Sequence, residues 1–300
     1  LPIFTAPVAF QQDAAGRPQP VEVAYAVAGE RVGFRVGAYD RSRPLIIDPL
    51  MASTFLGGLL KNGVRAVALD SRNNVIVAGY TASLDFPVTN GPVQGAYGGG
   101  VSDAFVARFD PFLTNLVAAT YLGGSGEAVI QTLAINDSNG RVIVGGYTAS
   151  LNFPTVSAPY PAYRGGPSDG FVAVLASNLN TLAAATYLGG AGEDQVNGLA
   201  LNSANDILAA GGTASPDFPV GNIDGTTYQA TLIGGGDGFV TRFNAAGSTV
   251  QASTYIGGNS DDRALAVAVD TNDTVFLTGR TASTDFPTTA SAFRRLLVGA

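Results

Sequence analysis

Three glycine-rich phrases in this chain deliver acidic side chains to matching places: Glu127 in GGSGEA, Glu193 and Asp194 in GGAGED, and Asp261 and Asp262 in GGNSDD. Carboxylates that recur on one face are raw material for calcium, which takes about six to eight oxygen ligands. One or two acids per phrase fall short of that cage, and the first phrase, GGLLKN, breaks the pattern with Lys61. Glu127, Asp194, Asp261 and Asp262 are therefore the calcium candidates, with turn capping or plain solvation the favoured reading and no cofactor assigned. The turns DSRNN, NDSNG and DTNDT lack the Asp-x-Asp-x-Asp-Gly spacing and distant Glu of a calcium loop. Paired acids could also hydrolyse glycosides, a chemistry that needs no histidine. Acids that recur from unit to unit suit structure better than one unique active site, so no catalytic residue is assigned.

Other chemistries are closed by composition. The chain has no histidine and no cysteine, which removes Ser-His-Asp and Cys-His catalysis, disulfides, and His- or Cys-ligated metals. A net charge of −7, with Lys61 the single lysine and the arginines scattered, argues against a nucleic-acid partner. The glycines of LGGSGE are followed by another short strand rather than a helix, so they do not read as a dinucleotide loop. Asn136-Asp137-Ser138 and Asn272-Asp273-Thr274 match the glycosylation pattern but fall in hairpin turns, where chance is the default reading. No uninterrupted apolar run is long enough for a membrane helix, so no membrane insertion is expected in this segment.

The elements that position these groups are repeats. STFLGG at Ser53 to Gly58 returns as ATYLGG from Ala119, ATYLGG from Ala185 and STYIGG from Ser253, in steps of 66, 66 and 68 residues. TASLDFP from Thr81 returns from Thr148, Thr213 and Thr281, and DAFVARF from Asp103 returns from Asp169 and Asp237. Fixed-period self-similarity means stacked structural units. Within a unit, Val64 to Leu69 and Asn74 to Tyr80 flank a turn of Asp, Ser, Arg and Asn, and Ala104 to Phe109 and Leu116 to Leu122 flank another. Each unit thus reads as two hairpins. The apolar runs are continuous rather than alternating, so both faces of each sheet must be covered.

The predicted fold is all-β: a β-propeller of four-stranded antiparallel blades, about 66 residues per repeat, forming an incomplete ring in this chain. A β-solenoid of parallel coils is the competing architecture. Residues 51–300 hold the repeats, three complete and a partial fourth. Residues 1–50 read as the tail of an upstream β-rich domain, with a hairpin running from Val21 to Ala28 through Gly29-Glu30 to Val32, Phe34 and Val36, and with Ile3 to Phe10 before it. The chain stops 13 residues after Pro287, so a fragment of a longer ring is expected, with Ser53 to Gly58 completing its last blade.

Between the hairpins run 16, 15 and 18 positions, from Pro87, Pro154 and Pro219 to the next repeated Asp. Loops of this length are functional or anchored. Phe86, Phe153, Phe218 and Phe286 read as the anchors, inserted between blades. Tyr97, Tyr160, Tyr163 and Tyr228 read as the loop candidates for ligand binding.

The ordered set of phrases, [ST]-T-[YF]-[LI]-G-G, A-V-A-[LV]-D, V-x-V-x-G-x-T, T-A-S-x-D-F-P and D-[AG]-F-V-x-[RV]-[FL], resembles the bacterial SBBP family of β-propeller repeats over residues 51–300. The stretch APVAFQ, then VGFRVGAYDRSRPLIIDP, is similar to the end of the β-rich domain that often precedes such repeats. That resemblance implies an exported or cell-surface protein and brings no catalytic residues with it. The expected function is a non-enzymatic scaffold or binding module, with an extracellular protein or glycan as partner. A carbohydrate-active enzyme domain (glycoside hydrolase or lyase) and a purely structural spacer are the alternatives.

Overall fold

The computed structural model describes residues 7–14, 16–28, 31–48, 52–89, 91–222, 225 and 227–297. Every regular element among them is a β-strand. The chain divides into two compact units, Leu1–Phe55 with Asp110–Asn115, and Leu56–Phe109 with Leu116–Ala300.

In the first unit, β1 (Val8–Gln12) is the middle strand between β2 (Pro18–Val21) and, later in the chain, β5 (Ile46–Asp48). Between them β3 (Val23–Ala28) and β4 (Arg31–Val36) form a hairpin. The expected continuous strand from Val21 breaks at Glu22, whose carbonyl accepts a hydrogen bond from the Gly37 amide. Val21 accordingly stays with β2. Tyr25 and Phe34 pair across the hairpin with ring centroids 5.6 Å apart, while Val27 on the same expected face remains exposed. The turn expected at Gly29-Glu30 and the start of the expected Ile3 to Phe10 strand lie outside the described residues. Residues 52–61 form no strand, and Phe55 is fully exposed, so STFLGG is not a strand end here as its three counterparts are.

The second unit is a succession of antiparallel meanders. β6 (Asn62–Leu69), β7 (Val75–Thr81), β8 (Asp103–Phe109) and β9 (Leu116–Leu122) form one sheet in that order. β10 (Ala128–Asn136), β11 (Arg141–Thr148), β12 (Asp169–Leu175) and β13 (Leu182–Leu188) form the second. The third is β14 (Asp194–Leu201), β15 (Ile207–Thr213), β17 (Asp237–Phe243) and β18 (Val250–Ile256), with the two-residue β16 (Gly221–Asn222) added outside β18. β19 (Asp262–Val269) and β20 (Val275–Thr281) pair as a two-stranded sheet. All these pairings are antiparallel, against the parallel coils of a solenoid. Asn73, Asn205 and Asp273 take φ of 62, 63 and 62° in the tight turns, a left-handed conformation that Asn and Asp tolerate better than other side chains.

The continuous apolar runs have the cause expected of them. On β11, Val142 and Val144 face a core shared with Ile76 and Val106 of the first sheet. Ile143, between them, joins a second core with Val196, Ile207 and Phe239 of the third sheet. The middle sheet is therefore sandwiched. The first strands β6, β10, β14 and β19 follow one another side by side.

The long connections cap sheet edges. Thr89 and Gln94 hydrogen-bond along the outer edge of β9, the amide of Tyr121 donating to the Gln94 carbonyl at 3.2 Å. Val156 and Tyr160 do the same on β13, and β16 and Gln229 on β18. Covering an edge removes a template for unwanted strand pairing. Phe86, Phe153 and Phe218 are buried anchors that pack on their own sheets, and Phe153 and Phe218 also belong to the cores shared with the preceding sheet. Their rings lie 4.5 Å from Phe105, Phe171 and Phe239 on the third strand and 5.7–5.9 Å from Tyr121, Tyr187 and Tyr255 on the fourth. The tyrosine completes the anchor: Tyr187 donates to the Ser150 carbonyl at 2.7 Å and accepts from the Phe153 amide at 2.9 Å.

Candidate functional site

The recurring phrases form hydrogen-bond frames. In T-A-S-x-[DN]-F-P the Thr hydroxyl accepts from the Ser amide. The Ser hydroxyl then accepts from an amide two residues beyond the GG pair, as Ser150 does from Gly126 and Ser215 from Gly192. The Asp or Asn side chain accepts from the residue just after GG, as Asn152 does from Ser125 and Asp217 from Ala191. A Cβ on the second glycine would collide with this Ser and Asp, which accounts for the glycine.

The buried acids belong to the same frames. Asp103, Asp169 and Asp237, which open β8, β12 and β17, are fully buried, as are Asp194 and Asp262 at the starts of β14 and β19. Asp169 Oδ2 accepts from the Arg164 amide at 2.8 Å, and Asp194 Oδ2 accepts from Ser215 Oγ at 2.7 Å and the Gly190 amide at 2.8 Å. The Oδ1 atoms of all five have no hydrogen-bond partner among the described residues. A Cβ on Gly189 would stand 2.8 Å from Asp169 Oδ1 and 2.7 Å from Asp194 Oδ2. The two oxygens are therefore no farther apart than the sum of those distances, and the pair joins the second sheet to the third. Asp237 and Asp262 meet over Gly257 in the same way. Where the first sheet meets the second, Ala128 stands in place of the second acid.

Burial raises the carboxyls of Asp169, to about 7 and helped by the Asp194 charge, of Asp194, to about 6, of Asp103, to about 6, and of Asp237 in the same direction. Of the calcium candidates, Asp194 and Asp262 are thus sunk in inter-sheet pairs. Glu127 is half-buried and Asp261 exposed, and neither is a member of those pairs. Among the described residues no three acids group to hold a metal ion.

The loop tyrosines divide. Tyr97 and Tyr163 occupy one repeat position and perform one task, donating to the carbonyls of Gly100 and Gly166 at 3.0 and 2.9 Å and packing edge-on against Tyr121 and Tyr187. Tyr160 holds the edge-capping place that Gln94 and Gln229 hold elsewhere. Tyr228 alone of the four is exposed.

A site the sequence reading missed lies along the first strands. Each carries a β-bulge, between Val64 and Ala66, Ile130 and Thr132, Val196 and Gly198, and Ala264 and Ala266. The bulge drives the carbonyl of Gly63, Val129, Gln195 or Arg263 against the partner strand, at the spot where Gly79, Gly146, Gly211 or Gly279 would carry a Cβ. This is why V-x-V-x-G-x-T needs its glycine. Bulges re-aim side chains, commonly next to functional sites. The bulged residues are Arg65, Gln131, Asn197 and Leu265, different in every unit.

At the second and third bulges a cavity of about 410 Å³ opens, lined by Glu127, Gln131, Tyr147, Glu193, Gln195 and Arg263, with Pro167 and Ser168 at one side. Arg263 Nη2 stands 3.8 Å from Glu193 Oε1. Burial first, then the Glu127 carboxylate, push the Tyr147 phenol up against the pull of Arg65, so it remains a proton donor at neutral pH. The side chains of Glu127, Gln131, Tyr147 and Gln195 donate to and accept from no other described residue. Polar groups converging on a cavity without internal partners are those a ligand can engage. The sequence signal was present in two positions that change character from unit to unit, one just before the first strand, Lys61, Glu127, Glu193 and Asp261, and one within it, Arg65, Gln131, Asn197 and Leu265.

No helix among the described residues is long and apolar enough to cross a membrane. A search of curated proteins finds no match to the chain. One family model, a domain of unknown function termed DUF7948, matches residues 3–50, the stretch ahead of the repeats.

Proposed function

We propose that residues 51–300 are a β-propeller segment of an exported or cell-surface protein, acting as a non-enzymatic binding module whose ligand enters the cavity at the first-strand bulges. The propeller reading is supported by meander sheets that share apolar cores with their neighbours and by first strands that follow one another side by side. The location rests on the resemblance of the repeats.

One observation carries the binding role. The recurring Thr, Ser and Asp or Asn side chains are engaged in the hydrogen-bond frames, whereas the residues that differ from unit to unit include several polar side chains that meet in one cavity without internal partners. A purely structural spacer has no need of them. Variation on a fixed scaffold is the usual arrangement of a recognition surface.

The test is an array of extracellular glycans and proteins probed with the wild type and with a Gln131→Ala/Glu193→Gln variant, alongside a glycan-hydrolysis screen. Retained binding by the wild type, loss in the variant at unchanged melting temperature, and no turnover are expected. Binding indifferent to the cavity variant, or turnover that depends on Glu127 and Glu193, would refute the proposal.

A further inference from the structure

We propose that the cavity bounded by Glu127, Gln131, Tyr147, Glu193, Gln195 and Arg263 is a subsite for a neutral saccharide of one or two pyranose rings. The inference rests on the binding role just proposed and adds the class of ligand. Electrostatics decides most of it. An anionic ligand would have to approach two carboxylates, Glu127 and Glu193, with Arg263 already drawn towards one of them at 3.8 Å. A cationic ligand would meet the guanidinium of Arg263, with Arg65 near enough to act on the Tyr147 phenol. An apolar ligand would bury carboxylates and amides without partners, and their lost hydration would go uncompensated.

Vicinal hydroxyls have none of these conflicts, because each both donates and accepts. The carboxylates of Glu127 and Glu193 can each accept from a pair of neighbouring hydroxyls. The amides of Gln131 and Gln195 can each return one donor and one acceptor, and the half-buried phenol of Tyr147 contributes a further donor beside the flat face of its ring. The volume of about 410 Å³ lies in the usual range for a small-ligand pocket.

The experiment uses the full chain with cellobiose, maltose and chitobiose as neutral probes, and citrate and spermidine as charged ones. Saturation-transfer NMR and calorimetry are run at low and high salt. At least one neutral disaccharide is expected to bind with an affinity that salt leaves unchanged, since no net charge is being neutralised. Glu193→Gln and Tyr147→Phe should each weaken it by about tenfold or more, the effect of losing a hydrogen bond that involves a charged or buried group. Glu193 is exposed, so its near-isosteric replacement guards against a folding artefact. Binding of citrate or spermidine in preference to the sugars, or sugar binding that ignores both substitutions, overturns the saccharide assignment. If the cavity variant loses a protein ligand on the array while no saccharide binds, this inference fails and the binding role stands. If nothing binds through the cavity, both fail.

Discussion

Replacing Asp169 by Asn should remove part of the loss of stability that this chain shows with rising pH, while Asp103, pushed up to about 6, and Asp237 keep their share of the loss. Asp169 is fully buried, and its carboxyl is moved from 3.8 to about 7, by burial first and by the neighbouring Asp194 charge. The folded protein therefore holds this proton more tightly than the unfolded chain does. The stabilisation is fully present below about pH 4 and is lost as pH rises through about 7. At about 1.4 kcal/mol per unit, a shift of roughly three units sets a ceiling of about 4 kcal/mol.

Asp194, moved to about 6, faces the same point over Gly189, so the two titrate as a pair and their contributions do not add. A fall of about 2–4 kcal/mol between pH 5 and pH 8 is the expected size. In Asp169→Asn the amide oxygen can keep the bond from the Arg164 amide, and the NH2 then replaces Oδ1 on the side of Asp194, a neutral group where the wild type has an ionisable one. Urea denaturation at pH 5, 6, 7 and 8 measures the effect. The wild type should decline across the series, and the variant should be the more stable of the two at pH 8. A wild-type profile flat within about 0.5 kcal/mol, or a variant with the wild-type slope, would refute the reasoning. So would stabilisation of the wild type alone by added calcium, because the pair would then be a cation site.

Two further outcomes follow from the frames. Tyr187→Phe removes both hydrogen bonds of the buried phenol and strands the Ser150 carbonyl and the Phe153 amide; a loss of about 2–4 kcal/mol in chemical denaturation is expected, and a loss below about 0.5 kcal/mol would dismiss the anchor role. Gly211→Ala sets a methyl against the Gln195 carbonyl at the third bulge, a backbone contact with no flexible atom to yield; the melting temperature should fall by several degrees, corresponding to about 1–3 kcal/mol, whereas an unchanged melting temperature would mean that the bulge does not require its glycine.

The sequence by itself determined the units, the strands and their hairpins. Period, turn residues and continuous apolar runs are local signals, and the observed strands β7, β8 and β9 begin and end within a residue of the expected ones. It also indicated which phenylalanines are anchors, because an aromatic that recurs before a proline must meet a recurring partner. The tertiary structure alone decided what the variable positions do. Tyr97 and Tyr163 looked like recognition residues until their hydroxyls were seen closed on Gly100 and Gly166. Asp194, which the sequence offered as a turn cap or a calcium candidate, stands against Asp169, 25 positions earlier in the chain. Gln131 and Arg263, 132 positions apart, share a cavity only because bulged first strands stand side by side. Strand formation depends on neighbours in sequence and is written there. A site assembled from three sheets depends on how their faces pack, and packing distances are not encoded in any one repeat.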